Sequence, residues 1–133
     1  ENRNRNSMAE TEGKRVLVVQ TSGVDRPRRT YAPIFYAMTA AAMEMEVLMW
    51  FTMEGTSQLI RGEAEKIELE EGSGVTLKTM IERAMDAGVQ FSVCQQSMAL
   101  FNVEPKDIIE NVKILGAASI IDLTLDYDVV MYF

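Results

Sequence analysis

The chain has 133 residues, a single cysteine (Cys94) and no histidine. Those counts exclude an intrachain disulfide scaffold, zinc fingers and two-cysteine redox motifs. No Ser-His-Asp or Cys-His mechanism fits within one chain, so acid–base work falls to carboxylates, Lys, Tyr or the thiol.

A net charge of −7 argues against a general nucleic-acid binder. Hydrophobic residues at 47% and charged residues at 25% suit one globular domain with a real core. No apolar run is long enough to span a bilayer, and the first residues lack the apolar stretch of a signal peptide. A lone cysteine then points to the cytoplasm, where thiols stay reduced.

Residues 1–13 are polar and without periodicity, and read as a disordered tail with Met8 as an alternative start. One domain is expected over residues 14–133. Arg15–Gln20 (RVLVVQ) reads as a buried strand of parallel-sheet type. Residues 21–30 hold Gly, Asp and Pro and read as a loop. Residues 31–44 are rich in Ala and Met and read as a helix, with Pro33 in its first turn. Residues 46–52 (EVLMWFT) form a second strand, and Gly55 to Ser57 lead into a short helix reaching Arg61. Residues 62–74 are acidic and irregular. Residues 76–87 form an amphipathic helix, with Thr76 as N-cap and Gly88 just past its end. Residues 89–94 (VQFSVC) form a third strand. Residues 95–102 are a short helix or turn, and residues 105–109 begin another. Val112–Leu115 is a fourth strand, residues 117–127 a helix and residues 128–133 (DVVMYF) a last strand.

Five alternations of strand and helix predict a mainly parallel five-stranded sheet in a three-layer α/β/α arrangement, flavodoxin- or Rossmann-like. In the flavodoxin-like order the first and third strands are neighbours, and ligands gather beyond their carboxyl ends. That order would set Thr21, Ser22, Gly23, Arg26, Arg28 and Arg29 opposite Cys94.

Cys94 ends a strand and precedes a helix start, where the helix dipole lowers a thiol pKa. Arginines nearby would lower it further. The competing reading is plain packing, since cysteine is among the most buried residue types. Arg26, Arg28 and Arg29 form the one dense basic cluster of the domain. They suit an anion, or equally a solvated loop or ion pairs to a neighbouring subunit. Ser22 and Gly23 are a faint phosphate-loop signal that matches neither GxGxxG nor GxxxxGK[ST]. Tight turning is the better explanation of the glycine. Glu63, Glu65, Glu68, Glu70 and Glu71 read as a solvated surface or a patch for a basic carrier protein, not a metal site. Seven of the ten methionines (Met38, Met43, Met45, Met49, Met53, Met80, Met85) fall at positions expected to be buried in core or interface. Asp122, Asp126 and Asp128 read as caps or strand-end residues.

Taken in order, residues 16–36 (VLVVQTSGVDRPRRTYAPIFY), 50–60 (WFTMEGTSQLI), 93–97 (VCQQS) and 116–133 (GAASIIDLTLDYDVVMYF) resemble the DsrE/DsrF-like family. The likeness is to its small branch labelled "predicted peroxiredoxin". The resemblance implies a three-layer α/β/α fold and oligomers, often trimers or hexamers. It also implies a sulfur-relay role, in which a cysteine after the third strand accepts and passes on sulfur as a persulfide. Cys94 stands at that position. A two-cysteine peroxidase cycle would need a resolving thiol from outside the chain.

The expectation is a cytoplasmic persulfide carrier with Cys94 as the sulfur-bearing group and Arg26, Arg28, Arg29, Ser22 and Gly23 holding an anion. The alternative is an oligomeric module for a small anion or nucleotide, with Cys94 structural. Expected partners are copies of the chain and a sulfur donor or acceptor protein. No nucleic acid, membrane, metal or cofactor is expected.

Overall fold

A computed structural model describes residues 10–133. Five strands form one parallel sheet: β1 (Arg15–Gln20), β2 (Glu46–Phe51), β3 (Gln90–Cys94), β4 (Val112–Leu115) and β5 (Val129–Tyr132). Four α-helices connect them: α1 (Tyr31–Ala42), α2 (Leu77–Asp86), α3 (Gln95–Leu100) and α4 (Ala117–Thr124). In β1, β2 and β3 every residue after the first is buried. Consecutive burial means both faces of the central sheet are covered, which explains why these strands read as continuous apolar runs.

The strand order is β4-β3-β2-β1-β5. The flavodoxin-like neighbourhood of β1 and β3 is therefore wrong, because β2 lies between them. β2 pairs with one side of β1 through Val16↔Val47 to Gln20↔Phe51. β5 takes the other side through Val16↔Val129 to Val19↔Tyr132. The Phe133 carbonyl locks that edge by accepting from the Thr21 N–H (3.0 Å) and hydroxyl (2.7 Å).

Crossover handedness then distributes the helices. β1 to β4 step across the sheet in one direction, so right-handed crossovers place α1, α2 and α3 on one face. The return from β4 to β5 runs the other way and puts α4 on the opposite face. The two core clusters follow this division. Val16, Val18, Met49, Phe51, Phe91 and Val93 pack with residues of α1, α2 and α3. Leu17, Val19, Leu48, Trp50 and Cys94 pack under Ile120 of α4. One eight-residue helix cannot roof five strands. Val130 and Tyr132, in register with Leu17 and Val19 and so on the α4 face, stay 46% and 73% exposed.

Local signals hold where expected. The Thr76 hydroxyl caps α2 by accepting the Thr79 N–H (3.3 Å), and Gly88 follows at φ +99°. The helix expected after Gly55 is a 3-10 run over Met53–Leu59, and the acidic segment contains one 3-10 turn, Ala64–Lys66. Residues 10–13, expected in the tail, are tied to the fold. The Thr11 hydroxyl donates to the Met43 carbonyl (2.8 Å), and the Gly13 N–H donates to the Glu44 carbonyl (3.0 Å). The rest of that stretch, with Met8, lies outside the described residues. Among the described residues no helix is long and apolar enough to cross a membrane.

Phe51 and Phe91 stack at 5.6 Å between ring centroids, and both are almost fully buried. Phe91→Ala should cost about 3 kcal/mol through lost burial and the cavity it leaves. Denaturant unfolding measures this, and a loss comparable to an exposed substitution would show that the pair does not anchor the core.

Candidate functional site

Cys94 is the last residue of β3 and the N-cap of α3. Its sulfur accepts the Ser97 N–H (3.4 Å) and its thiol donates to Gln96 Oε1 (3.6 Å). The same Gln96 oxygen accepts the Ala117 N–H at the start of α4 (3.1 Å). Gln96 thus links the thiol to α4, on its face of the sheet. Trp50 closes the neighbouring floor, with its indole N–H donating to the Leu115 carbonyl (3.1 Å).

Burial by itself pushes the Cys94 thiol up. Hydrogen bonds from the Ser97 and Thr52 hydroxyls and from the Ser97 and Gln96 N–H groups outweigh it. The pKa lies below the ordinary cysteine value. Every contributor is a neutral donor, and no arginine takes part.

Ser97 is the joint of the site. It is 3% exposed, its oxygen lies 3.1 Å from the Thr52 hydroxyl, and it accepts the Met53 N–H (2.8 Å). The two hydroxyls can turn their protons toward the sulfur without moving a heavy atom. Ser97 and Thr52 escaped sequence reasoning, because a Ser three residues past a strand end and a Thr closing β2 carry no motif. The usable signal was Ser97 at the third position of the helix that Cys94 caps.

The loop after β1 is separated from Cys94 by β2. Several of its N–H groups are engaged within the fold. Thr21 donates to Phe133 O, Ser22 to Gln20 Oε1 (2.9 Å) and Val24 to Ser57 Oγ (3.0 Å). The Ser22 carbonyl accepts from Gln58 Nε2 (2.7 Å). Gly23 is required by close approach, not by turning. A Cβ there would run into the Glu54 carbonyl and the Ser57 hydroxyl.

Arg26, Arg28 and Arg29 sit on a 3-10 turn and its cap, and line a groove of about 770 Å³ with Tyr31, Glu68, Leu69 and Glu71. Leu69 packs against the α1–α2 core, so the groove opens on the face away from the Cys94 cluster. Among the described residues none of the three guanidinium groups is in an ion pair. The cluster is real, but the expected partnership with the thiol is not. The acidic run is surface: Glu63 pairs with Lys66 (2.9 Å) and Glu65 with Lys78 (3.7 Å). Met49 and Met80 are core as expected, whereas Met53 is 44% exposed.

A parallel α/β domain with a capping thiol at the carboxyl end of its third strand is the class defined by this fold and site. Residues 14–133 match the DsrE/DsrF-like family, and the chain belongs to it. Two solved structures share the fold. The ychN protein of E. coli superposes with a TM-score of 0.75 at 16% identity, covering 90% of this chain and 99% of that one. MTH1491 of Methanobacterium thermoautotrophicum, described as a protein of unknown function, gives 0.69 at 15% identity, covering 89% and 98%. The uncharacterized protein MJ0760 of Methanocaldococcus jannaschii is 22% identical over 107 residues, 80% of this chain. The match spans only 38% of that relative's length.

Ser97→Ala removes one hydroxyl donor while keeping the N–H. The thiol pKa should rise and alkylation of Cys94 near neutral pH should slow about threefold or more. A pH–rate profile of iodoacetamide labelling measures it. An unchanged profile would show that the hydroxyl does not support the thiolate.

Proposed function

We propose that this chain is a sulfur carrier, holding sulfane sulfur on Cys94 as a persulfide and passing it to a partner thiol. The observation behind this reading is the thiol's place. The chain's only sulfhydryl ends β3 and caps α3 among neutral donors that lower its pKa, in a family associated with sulfur relay. The Cys94 thiolate attacks the outer sulfur of a donor persulfide. One S–S bond forms as the donor's S–S bond breaks, and the donor leaves as a thiolate with the bonding electron pair. No net oxidation occurs. An acceptor thiolate then attacks the outer sulfur on Cys94 and releases the Cys94 thiolate in the same way.

The carrier is taken to be cytoplasmic, where its single thiol stays reduced. Gln96, whose Oε1 accepts from the thiol, is an exposed side chain, and its rotation would free that contact. Incubation with a glutathione persulfide or thiosulfate donor should add the mass of one sulfur atom to Cys94. Peptide mass spectrometry reads it, and no gain on a thiol shown to be accessible would end this reading.

The 4% exposure of Cys94 favours a second reading. There the thiol is core packing, and the chain is an oligomeric module that takes a small anion or nucleotide in the arginine groove. The pH dependence of alkylation separates the two. A rate that rises only around the ordinary cysteine pKa of about 8.5 selects the second reading, and an earlier rise selects the first.

Both readings take the chain as a homo-oligomer, a trimer or hexamer by family resemblance. Supporting this are Ile121 of α4 and Leu125 just past its end, 68% and 82% exposed, with the open β5 residues Val130 and Tyr132. Light scattering after size exclusion should give a multiple of 15.0 kDa. Leu125→Asp with Tyr132→Asp should shift it toward the single-chain mass. A wild-type monomer would remove the oligomer from both readings.

A further inference from the structure

A second cleft, of about 400 Å³, opens beyond the carboxyl ends of β1 and β2. Its walls are apolar: Val24, Met53, Ile60, Phe101 and Val103. Met53 and Phe101 are 44% and 41% exposed, although both are residues a core would take. Met53 also holds a left-handed φ of +51°, which an L side chain adopts at a cost. Ser97 Oγ pins it there by accepting its N–H. The strained turn swings a flexible thioether out into the cleft instead of into the core.

The charged groups of this cleft share one sign. Asp25 and Glu54 lie in its lining, and among the described residues neither is in an ion pair. Arg26, next to Asp25 in the chain, lines the other groove. Thr56 also lines the cleft, is 1% exposed, and its hydroxyl has no hydrogen-bond partner. A buried hydroxyl without a partner marks a place where one belongs. Two carboxylates, one unpartnered hydroxyl, an aromatic ring and a thioether favour a cation with an apolar body.

We infer that this cleft binds a small organic cation, an alkylammonium-type ligand. Its apolar part lies against Met53, Phe101 and Val103, and its N–H donors meet Asp25, Glu54 and the Thr56 hydroxyl. The volume lies within the usual range for small-ligand sites. The site does not involve Cys94 and is separate from sulfur transfer.

Three probes of equal chain length and different head charge test this: n-octylammonium, n-octanol and octanoate. They are titrated into the full chain and followed by backbone amide NMR. n-Octylammonium should give saturable shifts centred on Val24, Met53, Thr56, Phe101 and Val103. Octanol should bind about tenfold more weakly and octanoate more weakly still. Asp25→Asn with Glu54→Gln, both at exposed positions, should remove that preference and leave octanol binding unchanged. Cys94→Ser should change nothing, so the result stands or falls apart from the carrier reading. Equal binding of all three probes, shifts centred on Val130 and Tyr132, or no saturable shift would each overturn the inference.

Discussion

The right-handedness of β–α–β crossovers governs this molecule more than any single contact. Three steps in one direction load α1, α2 and α3 onto one face of the sheet, and the single return step puts α4, of these four connecting helices, on the other. The consequences reach the chemistry. Cys94 points to the thinly roofed face, in the cluster with Trp50 and Ile120. The arginine groove belongs to the heavily roofed side, with Tyr31 and Leu69. The thiol and the arginine cluster are parted by the sheet itself. The thin face also explains why apolar side chains of β5 and α4 remain open to solvent.

The residues around the thiol act as one mechanical unit. Ser97 receives the Met53 N–H through its oxygen, gives its own N–H to the sulfur, and lies against Thr52. Two short turns that end β2 and β3 are thereby held in one geometry. The strained backbone at Met53 persists because this contact and the close approach of Gly55 to the Gln20 carbonyl over-determine it. A side chain at Gly23 would push on the same turn from the β1 side, through Glu54. The carboxyl ends of the three central strands are therefore packed as a rigid platform, on which the thiol and the apolar cleft are separate features.

Much of the fold was legible because its signals are local. Apolar runs marked all five strands, Thr76 and Gly88 bracketed α2, and Cys94 fell at the end of β3. Strand order was not legible. Whether β2 or β3 lies beside β1 depends on which edges pair, and the alternation of strands and helices is the same in both orders. The error about the arginines followed from that one step. Gly23 misled for a different reason. It packs against backbone from the turn after β2, a contact with a partner some thirty residues away that no local pattern announces. Met53 looked like core because its residue type is apolar, whereas its exposure comes from a left-handed turn that residue type alone does not signal.

Neutral activation of Cys94 has a chemical logic of its own. A thiol held by guanidinium groups is ionised deeply, but nucleophilicity falls as the pKa falls. The best attacking thiol has a pKa near the surrounding pH. Here burial raises the pKa while the Ser97 and Thr52 hydroxyls and two N–H groups lower it, and the net effect is a lowering. Hydroxyl donors also reorient, since each can point at sulfur or at the other oxygen. Under the proposed carrier role, a group that accepts sulfur and then surrenders it gains from such a setting.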